Sequence, residues 1–450
     1  MCGGSLERRE FLKIAALAAA AAHSALAQGG TPAQGGTQAQ GGSLARLKYP
    51  LAIAMWDFSW LERRWPGAGY EDWDSILDEL KKRGYDAVRI DAYPHLVATA
   101  ADRTWELLPC WNQQVWGSPA RNRVRVQPEL NQFIRKCADR GLRVALSTWF
   151  RQDADDTRMK IRGPEDHGRI WKTTLDSIAA DGLLPHILYV DLCNEFPLSD
   201  WAPFLPSNTE RANQQGKEWM RDAIAVVRWA YPGLDFTFSI TTEYDALQKQ
   251  DVSMLDFLEA HIWMVQWTTF YDEVGYNYER FDPKGYDNLV ERGKRVYLSN
   301  PDHWKAGLAS GIQTIADWSR ATRKPLVTTE CWAVIDYKDW PLLEWDWVKE
   351  LCELGVRTAS ATGRWLAMAT SNFCGPQFAG MWRDVSWHQR LTDVIHQGSL
   401  HLDQPKAQQS GARQESTEAL IKLCHFERSR IARLRAILRS RETCFSLRRS

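Results

Sequence analysis

The chain has 450 residues, with 56 basic and 56 acidic side chains and no net formal charge. Length alone would allow several domains, but a single α/β barrel reaches this size as well. The balance is uneven along the chain: residues 28–400 carry 42 basic and 49 acidic side chains, an acid excess that argues against nucleic acid as a partner.

Residues 1–27 read as an export signal of the twin-arginine type. Arg8 and Arg9 precede Phe11, Leu12 and Lys13, an alanine-rich apolar core follows, and Ala25-Leu26-Ala27 supplies a cleavage site. The segment is too short to span a membrane, and Cys2 lies before the apolar core, so no stable membrane anchor is expected. The mature protein is expected in the periplasm or secreted. Residues 28–47 repeat Gly-Gly with Gln, Ala and Thr, a composition that cannot bury a core and reads as a flexible leader.

Residues 48–398 alternate short apolar runs with segments of helical period. The expected strands are 51–57, 87–91, 143–149, 186–197 (HILYVDLCNEFP), 236–241, 257–263, 326–330 and 365–370. The expected helices are 72–83, 128–140, 164–180, 210–229, 304–323, 345–354 and 385–396. Eight strands alternating with these seven helices predict an α/β fold, a (β/α)8 TIM barrel with one catalytic domain and long βα loops. An open doubly wound sheet is the rival, weakened by the absence of G-x-G-x-x-G after the first strand.

In a barrel the residues that end the strands share one mouth. That gathers Asp57, Arg89, Asp91, Trp149, Asn194, Glu195, Glu243, His261, Trp263, Glu330 and Trp332, with Trp382 after the last strand. A Glu closing a run buried on both faces is more cheaply explained by a site than by packing, and here it happens twice, at Glu195 and Glu330. The bland readings are an ordinary ion pair for Arg89, a satisfied core imidazole for His261 and plain packing for the indoles. The chain holds 23 tryptophans, a surplus whose flat faces suit sugar rings. Nine cysteines occur singly, with no C-x-x-C and no histidine at ligand spacing, so neither metal nor cofactor is expected. Six of them, Cys110, Cys137, Cys193, Cys331, Cys352 and Cys374, read as small buried hydrophobes.

The segment GYDAVRID with Arg89, Asn194-Glu195, HIW at 261–263 and PLVTTECW with Glu330 resemble clan A glycoside hydrolases, especially family 5 cellulases and cellulase-like proteins. The resemblance spans roughly residues 49–397. It implies a retaining glycoside hydrolase acting on β-linked poly- or oligosaccharides, with Glu195 as acid/base, Glu330 as nucleophile, Arg89 keeping Glu330 ionised and Asn194 holding the sugar 2-hydroxyl. Glu195, beside Phe196 and a second negative charge, is expected to keep its proton. The partner implied is a carbohydrate, met by a monomer. Three positions depart from the family pattern: Trp263 stands where tyrosine is common, Trp149 where histidine often touches the sugar, and Trp382 lies well past the end of the last strand. Two alternatives stay open, a sugar-binding barrel with reduced catalysis and a metal-dependent, isomerase-type barrel using Glu195, Glu243, His261 and Glu330. Residues 399–450 form a basic tail with leucines near helical spacing over 416–441, to which no function is attached.

Overall fold

The computed structural model of the protein describes residues 42–110, 118–337 and 343–402. The export signal, the leader up to residue 41 and the tail from 403 lie outside them. No described helix is long and apolar enough to cross a membrane.

Eight parallel strands form the framework: β1 Leu51–Asp57, β2 Ala87–Asp91, β3 Arg143–Ser147, β4 Ile187–Asp191, β5 Phe236–Thr237, β6 Leu258–Glu259, β7 Leu326–Thr328 and β8 Trp365–Met368. They pair in the order β5-β4-β3-β2-β1-β8-β7-β6. The seam between β5 and β6 is closed by a parallel bridge at Ile240 and Ala260, where Ile240 N donates to Glu259 O at 2.9 Å and His261 N to Ile240 O at 2.8 Å. The result is the expected barrel. β1, β2 and β4 are buried along their whole length, as strands covered by helices outside and side chains inside must be.

The outer layer is α1 Trp73–Lys82, α2 Glu129–Ala138, α3 Pro164–Ala180, α4 Gln214–Ala230, α5 Lys284–Ser299, α6 Pro301–Thr322, α7 Asp346–Thr362 and α8 Val385–His396. Local chemistry sets several ends. Asp72 accepts from the amides of Asp74 and Ser75 to start α1, and Asn213 accepts from Gly216 N to start α4. Ile76, Leu77 and Leu80 form the buried stripe of α1.

Several expected elements differ. Lys284–Ser299 is a helix that was not expected, while after β5, where none was expected, the chain forms a 3-10 segment, Tyr244–Lys249. The loop after β2 holds a helix, Pro94–Ala100, and an antiparallel hairpin of Thr104–Leu107 with Asn122–Arg125. The sixth strand is interrupted: after Glu259 its pairing with the seventh resumes one residue out of register, Ile262 with Cys331 and Trp263 with Trp332, toward the mouth. The domain also extends past both expected edges. Leu44 is buried, its amide donates to Asp235 Oδ2 at 2.8 Å, and Arg364 Nη1 donates to the carbonyl of His401 at 3.1 Å. With Phe257 and Val327, Leu44 seals the end of the barrel where the strands begin, and Leu400 and Leu402 pack against that plug.

Tryptophan serves the core more than the surface. Of the described tryptophans only Trp229 is widely exposed, contrary to the expectation of sugar-facing indoles. The six expected cysteines are indeed buried free thiols.

Helix α7 runs eight residues beyond its expected end at 354, through Gly355. That glycine is a close approach and not a stop: a Cβ there would lie 2.5 Å from ring atoms of Trp332. Gly355→Ala should therefore overpack this contact and cost about 1–3 kcal/mol. Urea unfolding should show a lower midpoint with an unchanged slope; an unaltered midpoint would show that Trp332 can yield.

Candidate active site

Arg89 of β2 is fully buried at the centre of the barrel and meets polar groups in every direction. Its Nε lies 3.3 Å from Asp57 Oδ1, Nη1 lies 3.2 Å from Glu259 and 3.4 Å from Glu330 Oε1, and Nη2 lies 3.6 Å from Asp191 and donates to Ser147 Oγ at 3.0 Å. Nη1 also donates to Thr329 Oγ1 and Nη2 to Asn194 Oδ1. Four carboxylates around one guanidinium raise its pKa despite burial, so it stays charged.

Glu195 follows β4 in the left-handed backbone region, φ 51°, which a non-glycine residue holds only when its surroundings fix it. Here they do. Its amide donates to Ser239 Oγ at 2.8 Å, that hydroxyl donates to Asp191 Oδ2 at 2.8 Å, and the neighbouring Asn194 N donates to Thr148 O at 2.9 Å. The Glu195 carboxylate takes Trp201 Nε1 on Oε2 at 2.9 Å and faces His261 Nδ1 from Oε1 at 3.1 Å. His261 Nδ1 is also 3.6 Å from Glu330 Oε1. The nearest oxygens of Glu195 and Glu330 thus fall within 4.8 Å of each other, with His261 between them.

The charge order of the two glutamates is the reverse of the expected one. Burial pushes Glu195 up, but the His261 and Trp201 donors outweigh it and hold its carboxylate below the usual range. Glu330 is held well above that range. Burial dominates there, Glu195 adds to it, and the opposing pull of His261 and Arg89 falls short because Arg89 is shared with Asp57, Asp191 and Glu259. Glu330 Oε2 has no hydrogen-bond partner, nor does Asn194 Nδ2, nor Trp263 Nε1. Three buried polar atoms, one acceptor and two donors, are therefore left for a ligand to satisfy.

The expected residues divide into two groups. Arg89, Asn194, Glu195, His261 and Glu330 converge. Trp149 closes over them, its Nε1 donating to Asp57 Oδ2 at 2.6 Å and its ring 4.5 Å from that of Trp201. Trp263 sits edge-on to His261 at 5.7 Å. Asp91 is instead a backbone anchor, taking Tyr93 N and Trp149 N on its two oxygens at 2.7 and 2.8 Å. Glu243 is spent on the amides of Arg211 and Ala212, at 3.0 and 3.2 Å, so it serves a loop and not the mouth. Trp332 donates to Ala369 O at 3.0 Å and faces α7. Trp382 lies in the helix layer, 3.8 Å from the Arg83 guanidinium.

Glu259, Asp191, Ser239 and Trp201 were not anticipated. Glu259 had a signal: residues 259, 261 and 263 share one face of an extended run, so a barrel-facing His261 implies a barrel-facing Glu259. Asp191 carried the same parity signal from Glu195, whereas Trp201 arrives on an irregular loop and carried none.

Among the described residues Glu195, His261 and Glu330 are the group whose spacing could hold a metal ion. The donor set fits poorly. Arg89 stands 3.4 Å from Glu330, a permanent cation beside the would-be ligand, and Glu243 is taken up by the amides of Arg211 and Ala212.

The profile of the cellulase-like family, described as sugar-binding cellulase-like, matches residues 53–396. The crystal structure of a "putative glycoside hydrolase" from Parabacteroides distasonis is 52% identical, with a TM-score of 0.77, covering 79% of this chain and 96% of that one. The endo-β-1,4-mannanase from Thermotoga petrophila is 12% identical, with a TM-score of 0.47 and 79% and 78% coverage. An endoglucanase is 14% identical, with a TM-score of 0.46 and 79% and 99% coverage. Curated proteins yield no significant match.

Burial alone would lower the pKa of His261, but Glu330, Glu195 and Glu259 raise it to about 10. A folded value above the ordinary one near 6.5 means that the stabilisation is complete below pH 6.5 and is lost as pH rises through about 10. The stability gap between the wild type and His261→Gln, measured by urea unfolding, should be widest at pH 6 and shrink toward pH 10. A gap independent of pH would mean that His261 is neutral throughout.

Proposed function

The chain belongs to the sugar-binding cellulase-like family, and from that premise we propose that it is a retaining glycoside hydrolase acting on β-linked oligo- or polysaccharides. The observation that carries the reading is the approach of Glu195 and Glu330 to within 4.8 Å at the ends of β4 and β7. Retaining enzymes hold their carboxyls about 5–5.5 Å apart, whereas inverting ones leave about 6.5–9.5 Å for a water.

In the first step a Glu330 oxygen bonds to the anomeric carbon, the glycosidic C–O bond breaks, and the Glu195 proton goes to the departing oxygen. In the second, water gives its proton to Glu195, attacks the same carbon and releases Glu330. The free protein favours the proton on the Glu330 side of the pair, so substrate must redistribute it. A sugar hydroxyl that donates to Glu330 Oε2 and accepts from Asn194 Nδ2 would satisfy both unpartnered atoms and favour the ionised Glu330. His261 Nδ1, 3.1 Å from Glu195 and 3.6 Å from Glu330, is the group through which the proton can pass between them.

A second reading, sugar binding without turnover, is favoured by the depth of the pair: Glu330 is 1% exposed and Glu195 8%. One experiment separates the two. On β-linked glucans, mannans and aryl glycosides, Glu330→Ala should abolish turnover, with azide restoring it and giving inverted product. Glu195→Ala should lose about 10²–10⁴-fold on poor leaving groups and far less on dinitrophenyl glycosides, where the covalent intermediate accumulates. Binding without turnover by the wild type would establish the second reading.

For localisation we propose export in the folded state by the residue 1–27 signal, to the periplasm or beyond. Arg8 and Arg9 changed to lysine should retain the precursor in the cytoplasm; unchanged delivery, read by fractionation, refutes this.

A further inference from the structure

Six residues beyond Glu330 the same loop places a second carboxylate at the mouth. Asp336 is 5% exposed and rigidly held: Tyr271 Oη accepts from the amides of Ile335 and Asp336 at 2.8 and 3.2 Å, Asn372 Nδ2 donates to Ile335 O at 2.7 Å, and Tyr276 Oη donates to Asp336 Oδ2 at 2.6 Å. Its other oxygen, Oδ1, is buried without a hydrogen-bond partner. A buried carboxylate oxygen left unpaired is costly, and four hydrogen bonds that fix the loop around it make it a preset acceptor.

The setting identifies the side of the site on which it acts. Tyr276, which holds Asp336, packs edge-on against Tyr278, and Arg280 follows two residues on. Arg280 stands 5.2 Å from the ring of Trp201, the indole that donates to Glu195 Oε2. Asp336 therefore belongs to the Glu195 side, where an acid meets the departing oxygen. Beside it, Tyr278 is 47% exposed and packs edge-on against Tyr276 and Tyr271, at 5.0 and 5.2 Å, so the tyrosine cluster that holds Asp336 also includes a partly exposed ring. A partly exposed aromatic ring beside an unsatisfied acceptor matches a pyranose, which is apolar on its ring face and donates from its rim hydroxyls.

We propose that Asp336 and Tyr278 bind the leaving-group sugar, Asp336 Oδ1 accepting one of its hydroxyls and Tyr278 covering its ring face, which selects substrates whose departing group is itself a sugar. The inference rests on the hydrolase reading and refines it. Asp336→Asn keeps the size of the side chain and a partner for Tyr276 while removing the anionic acceptor, and Tyr278→Ala alters an exposed position that should not disturb folding.

The test compares kcat/KM on cellotriose and mannotriose with that on the matching β-glycosyl fluorides, which have no leaving sugar. Asp336→Asn should lose about tenfold or more on the trisaccharides, as removal of a hydrogen bond to a charged group does, Tyr278→Ala about two- to tenfold, as loss of an aromatic contact does, and both distinctly less on the fluorides. Equal losses on both, or none on the trisaccharides, overturn the inference, while fluoride turnover by the wild type keeps the hydrolase reading standing. If the wild type hydrolyses neither substrate, the hydrolase reading fails. The leaving-group role then falls with it, and calorimetric titration with the trisaccharides tests the sugar contact by itself: weaker binding by both variants supports Asp336 and Tyr278 as sugar-binding residues, and unchanged affinity overturns the contact as well.

Discussion

A buried guanidinium is the constraint on which the rest of this barrel depends. Arg89 has no access to water, yet its donors meet Asp57, Asp191, Glu259 and Glu330, contributed by β1, β4, β6 and the end of β7. Several kcal/mol of desolvation fall on each of these ions, and only their mutual contact offsets it. The strands that carry them must therefore sit in one register. Removing the cation would leave several like charges in a dry interior, a far larger fault than the loss of one hydrogen bond. The same arrangement limits how strongly Arg89 can act on any one carboxylate, which explains why Glu330 retains a raised affinity for protons beside a permanent cation.

That division of charge bears on function. An arginine next to a nucleophile suggests, by pairwise reasoning, an ionised nucleophile in the free protein. Counting all the neighbours gives the opposite order, because His261 and Trp201 both serve Glu195 while Glu330 Oε2 has none. The resting state is thus primed to be completed by a ligand, and the atoms it lacks are of the kind a sugar hydroxyl provides. Positions settled by backbone geometry behave otherwise. Asp91 and Glu243 end strands as convincingly as Glu195 does, but amides of adjoining loops saturate both of them.

The barrel was legible because its signals are periodic. β1, β2, α3 and α8 have the expected boundaries, since apolar runs and helical stripes there are uninterrupted. Of the site, the glutamate pair and its arginine were legible because a polar group ending a buried strand is anomalous. What escaped notice was either inside a strand or governed by contacts distant in sequence. Glu259 and Asp191 were hidden within apolar runs, Trp332 and Trp382 were indistinguishable by type from indoles that face the mouth, and the helix expected to end at 354 runs on through Gly355, whose reason, the ring of Trp332, comes from another element. Asp336 had no local signal at all, since its meaning rests on tyrosines about 60 residues earlier in the chain.

The six sequestered thiols carry a consequence of a different kind. Cys110, Cys137, Cys193, Cys331, Cys352 and Cys374 are unpaired and enclosed by the folded barrel, so burial protects them from oxidation by removing solvent access. That protection belongs to the native state alone. Once the chain opens in oxidising surroundings, six thiols become available for non-native pairing, and each wrong bridge withdraws molecules from the pool that can return. Durability under such conditions is then a matter of how rarely the barrel opens, a kinetic property set by the unfolding barrier, and not of the equilibrium between folded and unfolded chains.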